Sequence, residues 1–349
     1  MRVFTCDKCG QRVFFENDRC LRCRSPLGYL HLSRDVVALT EDSTDHLVER
    51  AGSARAWQRC ATRPVTGCNW LVPAGDEARC ESCVLTRTRP ADDDREGMDE
   101  LVRGEMAKRR LIFQLAELQL PVTPRDEQAG RGLAFDLLSS TGTKVVTGHD
   151  NGVITLDLAE ADAEHRERMR QQLSEPYRTL LGHFRHEIGH YYWPILVDRP
   201  DVLDACRQLF GDDRADYATA VRRHYDTSPD DDPWWPDTHI SRYATMHPYE
   251  DWAETFAHYL HILDTLQTAD SFGLAATPGP AAGAPVPRHG VGPGDPVAVD
   301  FDEIVGHWLE LSYALNQVNR SMGHDDLYPF VLAPRVTEKL AFVDHLVRH

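Results

Sequence analysis

Arg185-His186-Glu187-Ile188-Gly189-His190 is the stretch on which the reading of this 349-residue chain turns. It sits in a segment with helical periodicity, and helix residues four apart stand one turn above each other on the same face. His186 and His190 can therefore each aim an imidazole nitrogen at one metal ion. Glu187 follows the first of them directly, so its carboxylate falls beside the metal, where it can take a proton from a metal-activated water. Two neutral imidazoles favour zinc, with a third protein ligand and one position left for water. Five residues also match this pattern by chance on some surface helices. Against that, Gly189 costs helix stability in mid-segment, and Tyr191-Tyr192-Trp193 place aromatic bulk directly after the second histidine.

A third ligand is sought downstream. Met246-His247-Pro248-Tyr249-Glu250-Asp251-Trp252-Ala253-Glu254 reads as the start of a second helix, with Pro248 in its first turn where a missing N–H costs nothing. Glu250 and Glu254 lie one turn apart among Trp252, Phe256, Tyr259 and Leu260, and carboxylates in such apolar company need partners. Glu250 is assigned to the metal and Glu254 to a hydrogen bond on His186. Asp251 is the alternative ligand.

Cysteine spacing organises the N-terminal part. Cys6-x-x-Cys9 and Cys20-x-x-Cys23 are two knuckles ten residues apart, the pattern of a four-thiolate zinc ribbon over residues 1–28, with Val13-Phe14-Phe15 as one strand. So short a segment is expected to depend on metal rather than on a hydrophobic core. Cys60, Cys68, Cys80 and Cys83 suggest a second, divergent ribbon over 57–88, with Trp70-Leu71-Val72 as a strand; free buried thiols are the other reading. Cys206 has no partner in the pattern and reads as a small buried side chain.

The remaining chain supplies scaffolding. Residues 90–97 are polar and read as a linker between a ribbon region, 1–90, and a domain over 98–349. Helical periodicity begins at Met98. Leu133–Leu138, Lys144-Val145-Val146-Thr147 and Val153–Leu158 read as strands, with His149-Asp150-Asn151-Gly152 as a turn. Ser174 is expected to cap the metal helix, with Pro176 in its first turn. Trp234-Trp235 reads as a core plug in a surface loop. Residues 273–296, rich in Gly, Pro and Ala, read as an insertion. Ile304–Val318 and Arg335–Val347 read as helices. The fold class expected is α+β: zinc ribbons, then a mainly helical zincin-like domain with a small sheet.

Taken together, the chain resembles the zinc-binding metallopeptidases that carry an N-terminal zinc ribbon. The likeness rests on Cys6-Asp7-Lys8-Cys9-Gly10, Cys68-Asn69-Trp70-Leu71-Val72, Thr147–Gly152, Gly182–Trp193, His247–Thr255, and Asn319–Gly323 with Tyr328-Pro329-Phe330. It covers nearly the whole chain and implies a gluzincin-like peptidase core behind the ribbons.

The function expected is zinc-dependent hydrolysis of peptide bonds, with zinc held by His186, His190 and Glu250 and with Glu187 as general base. Peptides or proteins are the expected substrates. Tyr243, His247, His324 and Tyr328 are the candidates for stabilising the oxyanion, and spacing does not choose among them. The alternative is a non-catalytic protein, braced by zinc, whose ribbons recognise a protein partner. A net charge of −17 argues against a general role on nucleic acid or anionic membranes. No apolar run is long enough to span a bilayer. The N-terminus shows no signal-peptide pattern, and paired cysteine knuckles suit a reducing compartment, so the cytoplasm is expected.

Overall fold

The structure, a computed structural model, describes residues 1–41, 47–49, 56–76, 78–140, 145–162, 179–226, 235–274 and 300–349. The architecture is α+β, in two compact units, Met1–His165 and Arg166–His349.

The first unit holds all eight paired cysteines and every strand among the described residues. Strands β1 (Phe4–Thr5) and β2 (Arg12–Val13) form a short antiparallel pair. A five-stranded antiparallel sheet follows: β3 (Leu27–Leu30), β4 (Asp35–Glu41), β5 (Leu47–Glu49), β6 (Ala56–Arg59) and β7 (Leu71–Pro73), in that order. Sequence reading found only β7 of this sheet, since its short strands alternate weakly. A single turn, α1 (Arg63–Thr66), separates β6 from β7. Then come β8 (Thr86–Thr88), helix α2 (Arg95–Glu117), β9 (Ala134–Leu138), β10 (Gly148–Asp150) and β11 (Val153–Asp157); the last sheet runs β10-β11-β9-β8.

Two expectations change here. Residues 90–97 do not form a free linker: the Asp94 side chain accepts a hydrogen bond from the Gly97 N–H at 2.9 Å and caps α2, which begins at Arg95. On the other side β8 pairs in parallel with β9, so a cut at 90–97 would part an edge strand from its sheet. Residues 145–147 carry no strand, and Lys144 lies outside the described residues. The strand starts at Gly148 because the turn needs only Asn151 and Gly152, at φ 46° and 82°, which is the two-residue geometry that frees His149 and Asp150 for pairing with Ile154 and Val153.

An aromatic cluster forms the centre of this unit. The Phe15 ring centroid lies 4.9 Å from Tyr29 and 5.1 Å from Phe113, and Tyr29 lies 4.5 Å from Trp70. These residues come from both cysteine-bearing segments and from α2, so the two share one core. Behind it, the fully buried Lys108 is paired with Glu105 at 2.8 Å, as a buried charge requires.

Every regular element among the described residues of the second unit is helical. Helix α3 (Leu180–Tyr192) carries the histidine pentad and is capped by Thr179, whose hydroxyl accepts from the Gly182 N–H at 2.9 Å. The expected cap at Ser174 and Pro176 lies outside the described residues. After a π-helical turn at Trp193–Val197 come α4 (Pro200–Phe210), α5 (Tyr217–Asp226), α6 (Pro248–Phe272), α7 (Phe301–Ser321) and α8 (Pro334–Arg348). The last two contain the helices read from sequence. Trp235 is half-buried in a 3-10 turn, whereas Trp234 and the Gly/Pro/Ala-rich stretch from residue 275 lie outside the described residues. Cys206 is buried on α4, as expected. Among the described residues no helix is long and apolar enough to cross a membrane.

The packing of α3 on α6 explains the awkward Gly189. A Cβ at that position would stand 3.0 Å from the Ala253 Cα and 3.2 Å from its carbonyl oxygen, both backbone atoms. The Trp252 indole N–H donates to the Gly189 carbonyl at 2.9 Å across the same contact. Gly189→Ala is therefore expected to destabilise the second unit by about 1–3 kcal/mol despite its better helix propensity, read as a lower urea midpoint. An unchanged or raised midpoint would show that the helices can separate without cost.

Candidate metal centre

The close approach of α3 and α6 sets two helix faces against each other, and the i, i+4 pairs on each meet. His186 Nε2 lies 3.1 Å from Glu250 Oε2 and 3.2 Å from His190 Nε2, and His190 Nε2 lies 3.3 Å from the same carboxylate oxygen. Three donors around one focus at zinc's usual bond lengths would stand about 3.3 Å apart in a tetrahedron. The donor set therefore fits such an ion. Glu187, Glu250 and Glu254 bring three carboxylates against two imidazoles, a local excess of acidic groups that suits a cation at the shared focus.

The surrounding bonds fix each donor. His186 Nδ1 is 2.7 Å from Glu254 Oε1, which holds the ring so that Nε2 faces Glu250 and His190. Ser241 donates to the other oxygen of Glu254 at 2.5 Å. Burial alone raises the Glu254 pKa, but the His186 bond and charge outweigh it and hold it near about 2. Burial likewise acts against the charged form of Glu250, and His186 and His190 override it, keeping its carboxyl well below the usual range. Burial opposes charge on His186 too, yet Glu250 and Glu254 raise its pKa well above the ordinary value. Glu187 is the exception: burial raises its pKa, and the two histidines only partly offset this. It is a carboxylate close to the donors without being one of them.

Asp251, the alternative donor, points elsewhere. Its carboxylate is 2.6 Å from the buried Lys339 ammonium, which also donates to the Thr238 carbonyl. Of the four oxyanion candidates, His247 is the N-cap of α6: Nδ1 accepts from the Tyr249 N–H at 3.1 Å, and Nε2 meets the Ala215 carbonyl at 3.0 Å. Tyr328 is buried with its hydroxyl 2.7 Å from His258 Nδ1, and His324 is exposed beyond α7. Tyr243 alone of the four lies at the donors, its ring centroid 5.6 Å from that of His186. His261 sits beside Arg185, which pairs with Asp264 at 2.6 Å, so His258 and His261 serve packing.

Three neighbours were not read from sequence. Tyr217 donates its hydroxyl to Glu250 Oε1 at 2.9 Å, Tyr249 packs its ring 4.3 Å from that of His190, and Ser241 holds Glu254. None stands at a helical interval from the histidines, so no spacing signal marks them.

The cysteines form two quartets. Cys6, Cys9, Cys20 and Cys23 bring their sulfurs within 4.8 Å of one another, as do Cys60, Cys68, Cys80 and Cys83. Cys6–Cys23 and Cys68–Cys80 sulfurs stand 3.7 Å apart and Cys9–Cys20 sulfurs 3.6 Å, and all nine cysteines are unbonded. A zinc–thiolate tetrahedron has sulfurs about 3.8 Å apart. The wide gap between Cys60 and Cys68 is spanned by α1, which ends at Gly67 in the left-handed region, φ 64°. That turn folds Cys68 back beside Cys60, so the second quartet closes despite its irregular spacing.

A family model described as "Putative zinc-binding metallo-peptidase" matches residues 98–346, and a zinc-ribbon domain model matches residues 3–94. Uncharacterized proteins of Mycobacterium tuberculosis and Mycobacterium bovis are each 50% identical to this chain over 349 residues, covering 99% of it and 95% of their own length. No solved structure matches the chain.

Proposed function

The chain belongs to the zinc-binding metallo-peptidase family, and we propose that it hydrolyses peptide bonds at a single gluzincin-type centre of the His-Glu-x-x-His kind. The observation that carries the reading is the convergence of His186, His190 and Glu250 donor atoms at 3.1–3.3 Å beside a buried carboxylate, Glu187, that is left over from the donor set. His186, His190 and Glu250 would hold the catalytic zinc, and the two cysteine quartets would each hold a structural one. When bound at the histidine site, zinc supplies Lewis acidity that polarises the scissile carbonyl and lowers the pKa of water to about 7.

The chain's own groups do the rest. Glu187 takes the proton from water as its oxygen bonds to the carbonyl carbon, then delivers it to the amine nitrogen as the C–N bond breaks. Glu254 keeps His186 in the orientation that faces the focus, with Ser241 behind it. Tyr243, whose ring lies against His186, is the donor assigned to the developing oxyanion. Free, clustered thiols suit a reducing compartment, and the cytoplasm is the assigned location.

The test is hydrolysis of a mixed peptide library by the zinc-loaded full chain, read by mass spectrometry. Cleavage at defined positions supports the peptidase and gives its subsite preferences. A fully loaded protein that cleaves nothing favours the alternative, a zinc-braced protein whose ribbons bind a protein partner. A second expectation concerns Glu254→Ala. Removing the carboxylate that orients a ligating histidine is expected to weaken zinc at this centre about 10–100-fold, measured by competition with a chromophoric chelator. Unaltered affinity would deny Glu254 that role.

A further inference from the structure

Glu250 divides its two carboxylate oxygens. Oε2 faces both histidine nitrogens, whereas Oε1 accepts the Tyr217 hydroxyl at 2.9 Å. The two ends of this contact are unlike. Glu250 is 2% exposed, whereas Tyr217, the first residue of α5, is 44% exposed, so a residue open to solvent on one side sends its hydroxyl onto a buried donor.

The placement is braced from the α6 side. The Tyr217 ring packs edge-on against the His247 ring at 5.3 Å, and His247 Nε2 holds the Ala215 carbonyl two residues before the tyrosine. His247 itself caps α6, three residues ahead of Glu250. The start of α5 and the start of α6 are thus clamped by three contacts: a ring pair, the His247–Ala215 bond and the phenol–carboxylate bond. The clamp fixes the torsion of the Glu250 carboxylate.

We propose that Tyr217 is a positioning residue that commits Glu250 to the metal through one oxygen only, and so keeps a coordination position free for water or substrate. This rests on the metal reading of His186, His190 and Glu250. The physical argument is competition. A carboxylate can bind a dication through one oxygen or through both, and a hydrogen bond to one oxygen, made by a donor that cannot follow it to the metal, disfavours the two-oxygen mode. Without the phenol, Oε1 is left without this donor in a site that is 2% exposed, and its best remaining partner is the cation itself. Two-oxygen binding would fill the position that the reaction requires.

The test uses the full chain with cobalt(II) exchanged for zinc at the histidine centre under mild chelation, the cysteine-bound zinc being retained and checked by metal stoichiometry. The parent and Tyr225→Phe, a change on the same helix but at an exposed ring, are expected to give the intense visible bands of four-coordinate cobalt. Tyr217→Phe, with unchanged circular dichroism, is expected to lose them for the weak bands of higher coordination. A Tyr217→Phe spectrum that superimposes on the parent's overturns the proposal, as does a parent that takes up no cobalt at this centre. The spectra judge Tyr217 whether or not peptides are cleaved, so failure of the peptidase reading is seen separately in the peptide library.

Discussion

Glu187→Gln is expected to leave the protein folded and its histidine centre loaded with metal, while lowering peptide hydrolysis about 10²–10⁴-fold. The amide is nearly the same size as the carboxylate, and the parent's buried position needs no new space. None of the three converging donors is altered, because His186, His190 and Glu250 take their positions from Glu254, Tyr217 and the packing of α3 on α6. What would be lost is the carboxylate that, among the described residues, lies near the donors and is taken up neither by the donor set nor by an ion pair. His247 is engaged at both nitrogens, Asp251 is paired with Lys339, and Glu254 is held ionised by His186. The comparison needs two measurements on the same samples: bound zinc by elemental analysis, and cleavage rate on the best library substrate. Equal zinc with a lost rate supports Glu187 as the base. Equal zinc with an equal rate would remove it from the reaction and move the proton transfer to another group.

The centre was legible in sequence to the extent that its geometry is local. His186 with His190 and Glu250 with Glu254 are each one helical turn apart, so their facing could be read from spacing alone. Meeting of the two pairs needed only that the two apolar helix faces pack, which Gly189 opposite Ala253 allows. The residues that hold the centre were not legible for the complementary reason. Tyr217 and Ser241 reach their carboxylates from separate segments, and no interval along the chain encodes where a turn will deliver a hydroxyl. Choosing among Tyr243, His247, His324 and Tyr328 is likewise a tertiary question, since it turns on what each side chain touches. In the first unit the thiol spacing showed the quartets, but not the sheet between them. Leu27–Leu30 is buried at every position, so its strand has no alternation to read. At Gly148–Asp150 the small and polar residues of a strand looked like the turn they lead into.

Stripping all zinc is expected to unfold residues 1–88 while leaving α3 and α6 folded, because the two kinds of centre stand in different relations to their cores. The cysteine quartets join strands of two to four residues, a single helical turn and tight knuckles, elements too short to persist by themselves, and β4, at seven residues, is the one longer strand among the described residues before α2. Structural zinc sites in such modules contribute on the order of 10 kcal/mol, comparable with the entire stability of a domain. The aromatic cluster does not replace that contribution, since Phe4, Phe15, Tyr29 and Trp70 are themselves carried on the cysteine-bearing segments. The histidine centre instead spans helices of 13 and 25 residues whose contact is already made by Phe184, Ile188, Tyr192, Trp252 and Phe256, all fully buried. Zinc at this centre would be added to a finished core. Hydrogen exchange followed by mass spectrometry on chelator-treated protein separates the two cases. Rapid exchange through β3, β4, β6 and β7 with retained protection in α3 and α6 is the expected pattern, and Cys80→Ser should reproduce it in the first unit without chelator. Protection of those strands after complete loss of zinc would show that the aromatic cluster holds the ribbons unaided.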